Sequence, residues 1–140
     1  MANRYTIQQA AEATGVSAHT LRYYERIGLL KIARAANGHR RYTDDDLGWV
    51  RFIMLLRSTD MPLDDIATFV KLEKEGEDTI TKRRIMLEQH RVKLNKHIAD
   101  LQTCLVALST KIGYYSEVDD AMLACVQYNA AMDELENDDA

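Results

Sequence analysis

The sequence has little of what breaks a helix or closes a disulfide. One proline and six glycines in 140 residues leave long stretches free to be helical. Two cysteines, Cys104 and Cys125, stand in no metal-ligand spacing and form no disulfide framework, which points to a reduced compartment. No apolar run approaches the length of a membrane span, and the opening Met-Ala-Asn-Arg-Tyr has no apolar signal core. The expectation is a cytoplasmic chain that neither crosses nor enters a membrane. There is no Gly-rich phosphate loop and no nucleophile beside a base, so no catalytic residue is assigned and an enzyme is not expected. No cofactor is implied either.

What is present is a segregated charge. The net charge of −4 is wrong for a nucleic-acid binder if read as an average. Through Arg57, however, nine Lys/Arg face five acids, a local +4, and the remainder carries −8. Phosphate affinity follows the local face rather than the total.

The basic residues gather in 17–42. Thr6-Ile-Gln-Gln9 has the form of a capping box, and Ile7, Ala10, Ala11 and Thr14 share one helical face. Gly15-Val16-Ser17 makes a tight turn, and Ser17 caps a second helix. Leu21 and Ile27 supply its buried side, and His19, Thr20, Arg22, Tyr23 and Arg26 its polar side. Two short helices so joined read as a helix-turn-helix, although spacing alone would equally suit a plain helical hairpin. From Leu29 to Tyr42 the helical period is lost. Asn37-Gly38 is a hairpin turn signal, with Arg34 before it and His39, Arg40, Arg41 and Tyr42 after it. Arginine forks and tyrosine or threonine hydroxyls are groups that grip phosphate and probe a groove.

Thr43-Asp-Asp-Asp46 caps a third helix, whose body from Leu47 to Ser58 is apolar nearly all round and so predicted to be sandwiched. Trp49 and Phe52 then read as core. Arg57 near its end is a candidate phosphate contact. A fourth helix restarts after Pro62, with Ile66, Phe69 and Val70 facing inward, and fades into the polar break Glu73–Asp78.

Thr79 to Ile112 has no proline or glycine. Ile80, Leu87, Leu94, Leu101 and Leu108 repeat every seven residues, and Arg84, Arg91, Ile98, Leu105 and Ile112 follow four residues after each. The two arginines weaken the first half of this seam. A helix with one apolar stripe and too little remaining chain to cover it calls for a second copy, with Leu87, Leu94, Ile98, Leu101, Leu105, Leu108 and Ile112 as the dimerisation residues. Gly113 is predicted to end the helix, Tyr114-Tyr115 to make a loop, and Ser116-Glu-Val-Asp119 to start a short last helix before a disordered acidic tail from Glu134. His90, His97 and Cys104 share a stripe, but two turns apart, about 10.5 Å. One ion cannot bridge that spacing without a partner helix, so no metal site is assigned.

The run Leu21-Arg-Tyr-Tyr-Glu-Arg-Ile-Gly-Leu29 followed by Asn37-Gly-His-Arg-Arg-Tyr42 resembles the MerR family of bacterial transcription regulators. The resemblance is close over residues 4–72. It implies a mainly α fold: a winged helix-turn-helix DNA-binding domain at 1–75, a coiled-coil dimerisation helix at 76–112, and a short C-terminal helix with an acidic tail at 113–140. It implies a homodimer on double-stranded promoter DNA that activates RNA polymerase by distorting an over-long promoter spacer. Carried over residue by residue, it implies DNA contacts from His19, Thr20, Arg22, Tyr23, Tyr24, Arg26, Arg34, His39, Arg40, Arg41, Tyr42 and Arg57, with Glu25 orienting Arg22 or Arg26. Metal-sensing relatives carry thiolates at the start of the long helix and in the loop after it. Glu77-Asp-Thr-Ile80 and Gly113-Tyr-Tyr-Ser-Glu-Val118 have none, and Leu55 stands where a thiol-sensing branch has cysteine. A small, non-metal-sensing member is expected. A small organic effector would lie between the last two helices, near Tyr114, Tyr115, Met122 and Tyr128, where aromatic and methionine side chains offer an adaptable wall. Two readings compete: a metal- or thiol-responsive regulator of the same family, and a coiled-coil adaptor that binds no DNA.

Overall fold

The computed structural model describes residues 3–139. The chain is mainly helical and divides into two compact units, one ending at Val92 and the other beginning at Lys93. The first holds α1 (Ile7–Thr14), α2 (Ala18–Arg26), β1 (Ala33–Arg34), β2 (Arg40–Arg41), α3 (Asp44–Ser58), α4 (Leu63–Glu75) and a 3-10 turn (Glu77–Thr79). The last helix, α5, spans Ile80–Asp138.

The short helices start where their caps place them. Thr6 Oγ1 accepts from the Gln9 N–H at 3.2 Å while Gln9 Oε1 accepts from the Thr6 N–H at 2.9 Å, the reciprocal box predicted for α1. The helix stops at Gly15, whose φ of +73° suits glycine. Ser17 Oγ accepts from the Thr20 N–H at 3.1 Å and opens α2. Leu21 and Tyr24 of α2 are buried. Ile27, expected inside, is 41% exposed. It lies past the last helical residue, so the helical period no longer sets its direction, and Leu29 and Leu30 fill the core there instead.

The wing forms as two antiparallel strands with Ala33 opposite Arg41 and Arg34 opposite Arg40. Its turn needs Gly38 at φ +81°, and Asn37 Oδ1 accepts from the His39 N–H at 3.1 Å. Tyr5 and Tyr42 exchange two backbone hydrogen bonds, 2.8 and 2.9 Å, which tie the segment before α1 to the base of the wing.

A Thr43–Asp46 box opens α3 at 2.8 and 3.1 Å. Leu47, Val50, Ile53 and Leu56 form its buried stripe. The expected all-round burial is not found: Leu55 is 54% exposed, because α4 and the helix-turn-helix cover only part of the α3 surface. Trp49, Phe52 and Phe69 make an aromatic cluster with centroids 5.6–6.1 Å apart, and Trp49 Nε1 donates to the Leu29 carbonyl at 3.2 Å. As read from sequence, Trp49 and Phe52 pack rather than cage a ligand, and Ile66, Phe69 and Val70 of α4 are buried. Thr79 is buried in the turn that follows and accepts from Arg83 Nε at 3.1 Å.

The structure departs from expectation in α5. No break occurs at Gly113, no separate short helix follows, and helix persists through the segment expected to be disordered, to Asp138. Gly113 is not among the positive-φ glycines. One helical glycine costs only about 1 kcal/mol. The flanking Lys, Leu, Ala, Met and Glu residues favour helix strongly enough to absorb that, and to override the capping tendency of Ser116. Leu87, near the start of α5, packs partly against the core of the first unit.

Candidate nucleic-acid interface

The start of α1, the middle of α2 and the wing surround a cleft of ≈ 310 Å³. Thr6, Ile7 and Gln8 contribute the wall at the start of α1, Arg22 the lining from α2, and Arg34, Gly38, His39 and Arg40 the lining from the wing. Three arginines from separate elements thus line one concavity. Such an arrangement suits a phosphodiester backbone, whose oxygens accept forked donors. The α1 N-terminus adds the free N–H groups and positive dipole end that a helix start presents to anions. This wall was missed from sequence, where α1 read as scaffold. The Thr6 capping box marked the helix start but not the direction it faces.

Glu25 carries a negative charge into this basic site. Its Oε2 accepts from Arg40 Nε and its Oε1 from Arg34 Nη2 at 3.3 Å. Arg34 Nη1 also donates to the Gly38 carbonyl at 3.0 Å. Glu25 therefore does not orient Arg22 or Arg26 as expected. Strand pairing brings the wing arginines to the α2 face that carries Glu25, and Arg26 lies over the Tyr23 ring, 5.5 Å from its centroid.

Two of the tyrosines expected on DNA are core. Tyr24 is 6% exposed and its hydroxyl lies 3.6 Å from Met54 Sδ. Three residues from Leu21, it sits on the inward face of α2. Tyr42 is fully buried, its hydroxyl without a hydrogen-bond partner among the described residues. Burial, and next the charge of Glu25, raise its pKa above the ordinary 10.0. Arg41 does not line the cleft, since successive strand residues face opposite sides. Arg57 Nη1 is 3.4 Å from the Met61 carbonyl, and Arg51 Nη2 donates to the Ala13 carbonyl at 3.1 Å. His19 is exposed, and the Thr20 hydroxyl accepts from Ser17 Oγ at 2.9 Å.

The pattern for the MerR HTH family of regulatory proteins matches residues 5–73, and that for the MerR DNA-binding region matches 47–110. An uncharacterised HTH-type transcriptional regulator of Haemophilus influenzae is 39% identical over 114 residues, 81% of this chain and 84% of its own. The chain belongs to the MerR family. It is accordingly a DNA-binding transcription regulator and not an enzyme. The fold agrees with solved MerR structures. A crystal structure of HiNmlR, a MerR regulator lacking the sensor domain and bound to promoter DNA, matches with TM-score 0.76 and 38% identity, covering 81% of this chain and 87% of that one. A putative MerR regulator from Listeria monocytogenes matches with TM-score 0.82 and 34% identity, covering 90% and 97%.

Outside the MerR head, the remaining assigned residues lie along α5. Ile98, Leu101, Leu105, Leu108 and Ile112 are exposed, and Leu94 is half-buried. Tyr114, Tyr115, Met122 and Tyr128 are also exposed, on the same continuous helix. The expected effector pocket between two helices is therefore absent within these residues: without a break at Gly113 there is no second wall. Cys104 and Cys125 are free and exposed, and His90 Nε2 lies 2.7 Å from Thr59 Oγ1 at the end of α3. Among the described residues no helix is long and apolar enough to cross a membrane.

Proposed function

We propose that this MerR protein is a homodimeric, sequence-specific promoter binder in which Arg22, Arg34 and Arg40 contact DNA from one cleft, with His19, Thr20 and His39 facing the groove beside them. The convergence of Arg22 from α2 with Arg34 and Arg40 from the wing carries this reading. It is supported by the relative crystallised on promoter DNA. The exposed apolar residues of α5 support assembly from two copies, since a stripe that includes Leu101, Leu105 and Leu108 has no partner among the described residues. Activation then follows from distortion of a promoter whose spacer is too long, which brings both polymerase-contact elements onto one face. Footprinting finds the operator, and in vitro transcription from templates with the spacer shortened by one or two base pairs tests the mechanism. Shortened spacers should fire without the protein. Equal dependence on the protein at every spacer length rules distortion out.

A further inference from the structure

We infer that Glu25 is a specificity-determining positioning residue: it aims the wing arginines and suppresses their binding to DNA of the wrong sequence. The inference rests on the reading that Arg34 and Arg40 contact DNA. Among the described residues Glu25 is the only acid paired with the wing arginines, and its side chain is only 20% exposed. It takes Arg40 by Nε, so the two terminal nitrogens of that guanidinium are left free and form no hydrogen bond among the described residues. A guanidinium held by Nε in this way presents its outer edge as a fixed fork, the geometry that reads paired acceptors. The Arg40 side chain is 23% exposed, against 47% for Arg34, so it is also the better confined of the two.

The same carboxylate offsets one of the two positive charges. Non-specific binding depends on the number of phosphates neutralised, whereas specific binding depends on fork placement. Glu25 thus lowers the first and raises the second. A residue that merely stapled wing to helix would change both together.

The test uses the full chain, the duplex that it enriches from a randomised pool, and a scrambled duplex of equal length, over a salt series. Glu25→Gln should bind the scrambled duplex several-fold more tightly, with a log–log salt slope steeper by about one. Its preference for the enriched duplex should fall about tenfold. Arg40→Lys keeps the charge but has neither Nε nor fork. It should lose about tenfold in preference for the enriched duplex. Equal weakening on both duplexes with an unchanged slope, or no change, in Glu25→Gln overturns the inference. So does undiminished preference in Arg40→Lys, which decides the matter even where Glu25→Gln does not fold. If Arg34→Ala and Arg40→Ala both bind like wild type, the DNA-contact reading itself is at fault.

Discussion

Arg40 and Tyr42 are two residues apart, yet Arg40 lines the cleft and Tyr42, expected on DNA, is buried. Arginine on a hairpin beside a helix-turn-helix has few uses other than an anionic partner, so residue type told its direction. Tyrosine does not reveal direction, because its ring suits a core and its hydroxyl a phosphate. For Tyr24 the spacing from Leu21 held the answer. For Tyr42 nothing local did, since its burial depends on pairing with Tyr5, distant in sequence. Arg40→Ala should weaken operator binding by about 1–3 kcal/mol in a gel-shift titration, with folding intact. Unchanged affinity would remove the wing from the interface. Tyr42→Phe should leave DNA binding unaltered and raise stability by about 1 kcal/mol in urea unfolding, because a buried hydroxyl with no partner is lost. It should also change the alkaline limb. With the folded pKa raised, no pH dependence arises from Tyr42 well below 10.0. Above it the unfolded chain ionises first, releasing a proton that the folded chain still holds, and stability falls as pH rises. Tyr42→Phe should flatten that fall. Part will remain, because the hydrogen bond to Asp44 raises the Tyr5 pKa in the same direction.

At the scale of elements, the sequence was most legible where a local hydrogen bond decides the outcome. Thr6, Ser17 and Thr43 each open a helix through a side-chain bond to a backbone N–H three residues on, and the wing turn follows from Asn37-Gly38. It was least legible where two weak tendencies compete. Gly113 and Ser116-Glu-Val-Asp119 carry the marks of a stop and a restart, yet the structure is helical through both. A stop signal needs something to gain from turning, such as a core for the returning segment to join. No residue of α5 counts as buried, so no such gain is available within the chain. The alternatives differ in sign under one substitution. At a left-handed cap, alanine at 113 would be destabilising. In a helix interior where, beyond the helix's own adjacent backbone, no atom of the described residues lies within 4 Å of the added Cβ, Gly113→Ala should stabilise by about 0.5–1 kcal/mol, read from the urea midpoint. A loss of stability would restore the break.

At the scale of the whole molecule, charge and apolar surface are distributed in opposite senses. The basic excess lies in the part that holds the cleft, and the exposed large apolar residues lie mostly on α5. A monomer would therefore leave Ile98, Leu101, Leu105, Leu108 and Ile112 in water, an arrangement tolerable only if another surface covers them. Heptad spacing over this run favours a helix of the same kind, and the nearest such helix is a second copy. Leu87 packs partly against the core of the head, unlike these exposed residues. Leu101 is 53% exposed in the single chain and sits at the middle of the run. Leu101→Asp would place an unpaired carboxylate between two apolar faces, at a cost of about 3–5 kcal/mol, enough to dissociate a dimer of ordinary affinity. The head would stay folded, because its core lies elsewhere, so circular dichroism should still report helix. Sedimentation should report a monomer. Operator affinity should then collapse, since one helix-turn-helix grips only one half-site, while weak binding to a half-site duplex should survive. An unaltered dimer in sedimentation would move the interface off this stripe, and a monomer with undiminished operator affinity would separate assembly from recognition altogether.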